Sequence, residues 1–231
     1  MVGLEFVIRM IASGIIFIAV MIGPAWYLTG SMDWPRGWLA IGILWGSQCL
    51  AGIWYLFKDP DLLKSRLSMR GDNPKADKLI SFLIVLAMFV WIILVPVDVH
   101  AWMLLPGLPA IWSVAIGLVL LLLGLGIIHW TFMENSFAST VVEVQTERHQ
   151  RVIDTGPYAL VRHPMYTGMV PIFVGMGLIA GSMAMALLAI PLFVIVLLPR
   201  MAIEEATLRQ KLDGYSDYME KVRWRLVPGL Y

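Results

Sequence analysis

The side chains best suited to chemistry stand in one run, residues 156–168, reading GPYALVRHPMYTG. Gly156 and Pro157 break any preceding helix. Pro164 fixes its own φ and pushes His163 out of the helical region, so the spacing predicts an imidazole in an extended turn just before a helix that begins near Met165. Helix starts gather unpaired N–H groups and the positive end of the backbone dipole, and Arg162 adds a fixed charge. A carboxylate or phosphate of a cofactor would fit there. The same residues also suit a membrane-entry turn with Arg162 and Tyr166 anchored among lipid headgroups, and a short motif alone leaves both readings open.

A second candidate pair is Arg200 and Glu204, four residues apart and so on one face of any helix that contains them. They read either as a snorkelling Arg in a helical ion pair worth about 0.3–0.5 kcal/mol, or as a clamp. In the clamp, the planar guanidinium takes an anionic substrate group and the carboxylate takes an ammonium or a pair of ribose hydroxyls. Glu205 and His163 join Glu204 as candidates to accept a proton if the reaction releases one. The single Cys, Cys49, and four scattered His form no ligand-spaced cluster, so no metal is expected.

The elements that must position these residues are membrane helices. Of 231 residues, 59% are apolar and 14% charged, and the mean hydropathy is +0.79, which places the chain among all-α integral membrane proteins. The net charge of +1 gives no sign of a nucleic-acid partner. Six spans are predicted, at 6–28, 37–57, 79–97 and 110–133, then a tight hairpin of two 16-residue helices, 165–180 and 183–198, around Gly181 and Ser182. The first is too long for the core of a cleavable signal peptide and reads as a retained anchor. Gly42 and Gly46 would give the second span a close-packing face, and Gly175, Gly177 and Gly181 would do so near the hairpin.

Between spans, residues 61–69 suit an interfacial helix, and Val141, Val142, Val144 and Gln145 a short extended segment. Beyond Pro199 a polar, helix-periodic stretch leads to a short helix and an irregular tail. The chain divides into residues 1–109, three helices with their loops, and 110–231, which hold the chemistry-bearing motifs. Fifteen of the 17 Lys and Arg fall in the loop after span two, the stretch before the hairpin and the tail, which six spans put on one side. By the positive-inside rule that side is the cytoplasm, with both termini in it. Spans two, three, five and six carry no charged residue and the chain shows no internal repeat, which argues against a transporter.

GPYALVRHPMYTG, the pair Glu204-Glu205 followed by Leu208, and GYSDYMEKVRWRLVPG together resemble the isoprenylcysteine carboxyl methyltransferase family, itself similar to phospholipid N-methyltransferases and membrane sterol reductases. The resemblance covers residues 135–229. It implies an S-adenosylmethionine-dependent membrane methyltransferase acting on a lipophilic acceptor from the bilayer, most simply a carboxylate, with a cytoplasmic C-terminal helix covering the cofactor pocket. It also implies that Gln150, Arg151, Val152, Ile153, Tyr158, His163, Pro164, Met165, Tyr166 and Glu204 contact the cofactor, with Gln145 a further match at shifted spacing. Arg200 matches the substrate-positioning Arg, and Gln150 replaces the His of eukaryotic members. Other readings are a nicotinamide-dependent reductase sharing the Arg-His-Pro turn, a methyltransferase for a phospholipid amine or a thiol, and a scaffold without activity. Of the remaining polar residues, His129 reads as hydrogen-bonded structure, Asp98 and His100 as loop polarity, Glu134 and Asn135 as caps, and Tyr215 and Tyr218 as tail packing or cofactor contacts.

Overall fold

The structure, a computed structural model, describes residues 2–67, 75–139, 142 and 144–230, the side chains at 2, 3, 67, 75 and 76 excepted. In chain order its helices are α1 (Val2–Thr29), α2 (Pro35–Lys58), α3 (Pro60–Leu67), α4 (Lys75–Val97), α5 (Ala110–Glu134), α6 (Pro164–Ala180), α7 (Met183–Lys211) and α8 (Tyr215–Lys221). Five of them, α1, α2, α4, α5 and α7, are long and apolar enough to cross a membrane, and α6 is a shorter apolar helix of 17 residues. The chain is an all-α, multi-pass membrane protein. The interfacial helix read at 61–69 corresponds to α3, with residues 68 and 69 outside the described residues. Residues 142, 144 and 145 form neither helix nor strand, and Val141 lies outside the described residues.

The last long helix, α7, departs from expectation. It does not stop at Leu198 but runs through Pro199 to Lys211, 29 residues in all. A buried stripe of Phe193, Leu197, Met201 and Glu205 continues across the proline at helical spacing, so packing on the inner face outweighs the one lost backbone hydrogen bond. That continuity carries Arg200 and Glu204 rigidly off the end of the span.

α5 and α6 lie antiparallel with their backbones touching. A Cβ on Gly117 would sit 2.7 Å from the Gly175 carbonyl oxygen, and one on Gly168 would sit 2.7 Å from that of Gly124. Small residues let membrane helices gain dispersion contacts along their whole length. Gly42 and Gly46 do not act this way, since a Cβ at either would meet nothing within 4 Å. Glycine spacing marks a helix able to pack closely, but the partner decides which glycines are used.

The end of the hairpin is tied off by groups from distant helices. Arg36 donates to the carbonyls of Leu178 (2.7 Å) and Ile179 (2.8 Å) and to Ser113 Oγ (3.0 Å), and Trp34 Nε1 donates to Ala180 O (3.1 Å). These bonds satisfy the last carbonyls of a helix too short to carry them out to water. Asp98 is not loop polarity: it is buried, accepts from Ser182 Oγ (2.5 Å) and Leu104 N (3.0 Å), and so braces the hydroxyl that caps α7 at Met185 N. The core beneath is aromatic. Phe173 stacks on Phe193 at 4.0 Å and meets Trp91 edge-on at 5.1 Å.

Gly168→Ala is expected to lower stability by about 1–3 kcal/mol, because the α5–α6 backbones must separate to admit a methyl. Gly42→Ala should leave it within about 0.5 kcal/mol. Thermal unfolding of the detergent-purified variants checks both, and equal behaviour would refute the packing argument.

Candidate active site

At the end of the bundle where α5 stops, α6 starts and α7 emerges, the chain encloses a hollow of about 850 Å³ counting its mouth. Its walls come from five sequence-distant pieces: Asn135 and Phe137 after α5, residues 150–153, the turn at 162–166, Glu204 and Leu208 on α7, and Tyr215 and Tyr218 of α8. The structure therefore brings the Arg-His-Pro turn and the acidic helix face to face. Gln150, Arg151, Val152, Ile153, Tyr158, His163, Pro164, Met165, Tyr166 and Glu204 all line this hollow.

Gln145 and Arg200 do not. Gln145 is buried behind the wall, donating to Phe137 O (2.9 Å) and accepting from Arg148 (2.5 Å), and so shapes the loop without facing the hollow. Arg200 is also buried. Its guanidinium meets Asp77 Oδ1 at 2.6 Å, donates to Ser81 Oγ, and reaches the Tyr166 hydroxyl at 3.3 Å. Tyr166 in turn donates to Glu204 Oε2 at 2.9 Å. An Arg already answered by a buried carboxylate is poorly placed as an open clamp, but it holds Tyr166, and Tyr166 holds Glu204 against the cavity. Asp77 was invisible as a partner because it lies 123 positions away.

The turn is built around Glu205, which sequence reading ranked only as a spare base. Its buried carboxylate takes Arg162 Nε at 2.7 Å, His163 Nε2 at 3.1 Å and Arg225 Nη2 at 2.8 Å. Arg162 also donates to the carbonyls of Val222 and Arg223 (2.8 Å each), and the backbone N–H groups of Arg162 and His163 donate to Trp224 O (2.9 Å) and Arg225 O (3.0 Å). Arg162 is thus neutralised and spent on the tail, which corrects its reading as a free anion site. His163 does cap α6 with φ −124°, its ring stacked on Tyr166 at 5.6 Å.

The floor is phenolic. Tyr158 accepts from Asn135 Nδ2 (2.9 Å), and Tyr218 donates to Tyr158 O (2.8 Å). Burial, ahead of every charge around it, pushes Tyr158 up to about 12, and burial likewise drives Tyr215 and Tyr218 above the ordinary tyrosine range. These rings stay neutral at physiological pH and offer flat surfaces and hydrogen bonds, not bases. Sequence motifs give no sign that Asn135, Phe137 and Leu212 line the hollow, and Asn135 does so while also serving as the C-cap of α5. His129 faces a different hollow, described below. Among the described residues no group of three or more His, Cys, Asp or Glu is placed to hold a metal ion.

Glu205→Ala should cost about 3–5 kcal/mol, because it leaves Arg162 a buried cation without its carboxylate. Glu204→Gln, which keeps an acceptor for Tyr166, should cost no more than about 1 kcal/mol. Unfolding curves together with protease cleavage rates in the tail would check this, and a tail as resistant in Glu205→Ala as in the parent would contradict it.

Comparison with curated proteins gives no match. A family model described as phospholipid methyltransferase matches residues 112–213, from the first turn of α5 to just past α7. Both faces of the hollow, the turn and the acidic helix, fall inside that stretch. Residues 112–213 are thus similar to the phospholipid methyltransferase family, which itself belongs to the isoprenylcysteine carboxyl methyltransferase-like superfamily.

Proposed function

We propose that this protein is an S-adenosylmethionine-dependent membrane methyltransferase whose acceptor is a lipophilic carboxylate. The observation that carries the reading is the single hollow walled by the family-matched turn and by Glu204. Its donor set fits the cofactor: neutral tyrosine and phenylalanine rings for an adenine, a carboxylate for an ammonium or ribose hydroxyls, and the chain at 150–153 with Arg151 for a carboxylate. When bound, that cofactor supplies a methyl group already activated on a sulfonium.

What the protein adds is placement and dryness. Glu204, fixed by Tyr166, orients the cofactor, and Arg200, anchored by Asp77, keeps Tyr166 in position as a positioning residue. Tyr215 and Tyr218, with the tail bound through Glu205, close the hollow against water. A carboxylate acceptor asks least of these side chains, because it is already ionised and no proton has to leave. The basic residues of the loops gather at this end of the bundle, so the hollow opens to the cytoplasm by the positive-inside rule.

Purified protein should unfold at higher temperature with S-adenosylhomocysteine and be indifferent to NADPH. The reverse pattern would favour the reductase reading. Glu204→Gln should weaken S-adenosylhomocysteine about tenfold, the loss of one charge-assisted hydrogen bond, and unchanged affinity would remove Glu204 from the cofactor site. Incubated with labelled methyl donor and membranes, the protein should label a lipid fraction that releases methanol in alkali, as an ester does. Alkali-stable label would instead mean an amine or thiol acceptor.

A further inference from the structure

A second hollow, about 950 Å³ with its mouth, opens between α1, α2, α3 and α5 at the same end of the bundle. Most of it is built by helices that precede the family-matched stretch. Its walls are mainly apolar, with Phe6 and Met10 from α1, Trp45 from α2, Leu62 and Leu63 from α3 and Phe132 from α5, while Ser13, Gln48, Tyr55 and His129 add uncharged polar groups. Two cations border it, and they differ. Arg9 is paired with Glu5 at 2.6 Å on the exposed side of α1. Arg66 has no carboxylate within 4 Å among the described residues.

The surroundings of Arg66 are soft. Its guanidinium lies over the Phe132 ring at 4.3 Å, and one N–H points at Met165 Sδ at 3.8 Å. A ring face and a thioether are weak substitutes for water around five strong donors. Burial accordingly pushes the Arg66 guanidinium below its usual value. A cation kept in a mainly apolar cleft with no counter-charge among the described residues is costly unless an anion visits.

Position adds direction. Met165, the residue Arg66 touches, also lines the first hollow. Arg66 therefore stands on the wall between the two hollows, facing the one with apolar sides. Its own helix is short and lies at the bundle's polar end, where lipid headgroups would meet the protein.

We infer that the cleft among α1, α2, α3 and α5 binds a membrane amphiphile, its hydrocarbon chain between the helices and its anionic head on Arg66. Charge complementarity and the apolar walls together select this occupant over a free anion or a neutral lipid. The link to chemistry rests on the proposed methyltransferase reading, since the head bound at Arg66 lies one residue, Met165, from the candidate cofactor hollow. The binding itself does not rest on it.

Cys49, the chain's one cysteine, lines the cleft and reports its occupancy. In a neutral detergent, oleate should slow alkylation of Cys49 by N-ethylmaleimide at about tenfold lower concentration than oleyl alcohol does, and acetate should have no effect. Arg66→Gln should erase the difference between the two amphiphiles, and Arg66→Lys should keep most of it. Equal protection by oleate and oleyl alcohol, protection by acetate, or a preference that survives in Arg66→Gln would overturn the inference. The comparison of amphiphiles on the unaltered protein decides the matter even if Arg66→Gln does not fold. Protection that depends on Arg66 in a protein that ignores S-adenosylhomocysteine would refute the methyltransferase reading and leave this site standing.

Discussion

The site depends on one buried carboxylate. Glu205 sits where α7 leaves the apolar core and collects Arg162, His163 and Arg225 around its two oxygens. Removing Glu205, Arg162 and His163 from water is expensive, and only dense, well-directed hydrogen bonding, with the half-buried Arg225 adding to it, offsets the cost. Here Arg162 also bonds two tail carbonyls, and the tail carbonyls at 224 and 225 bond the turn's own N–H groups. A single charge thereby joins three pieces of chain: the turn before α6, the end of α7 and the C-terminal tail.

From that junction the hollow follows by geometry. With the tail held against the turn, α8 brings Tyr215 and Tyr218 over the face that Glu204 and Leu208 present. The helix pair beneath must be rigid for this to hold, and the glycine contacts between α5 and α6 make it so. At the far end, Arg36 and Asp98 tie the hairpin to α2 and to the turn after α4, so α6 can be short without exposing its carbonyls to lipid.

The N-terminal helices do more than anchor the chain. α4 supplies Asp77, whose bond to Arg200 sets Tyr166 and through it Glu204. α3 supplies Arg66, which touches Met165 on the wall of the same hollow. Both contacts come from outside the family-matched stretch, so the site joins the chain's two halves.

Membrane class, span positions and the grouping of the motifs at one end were all legible from sequence, because hydropathy, breaker residues and Lys/Arg counts act locally along the chain. That His163 leaves the helical region before Pro164 was equally readable, since proline restricts its own neighbour whatever the fold, although its ψ of 61° falls short of a fully extended residue. Which cation meets which carboxylate was not. Arg162 and Arg200 carry the same charge in similar apolar settings, yet only packing decides that one is spent on Glu205 and the tail and the other on Asp77. Nor does glycine spacing say that Gly124 and Gly168 touch while Gly42 and Gly46 face open space. Local rules determine what each segment is, and the pairings belong to the tertiary structure, because a buried charge or a bare backbone has meaning only against the surface it meets.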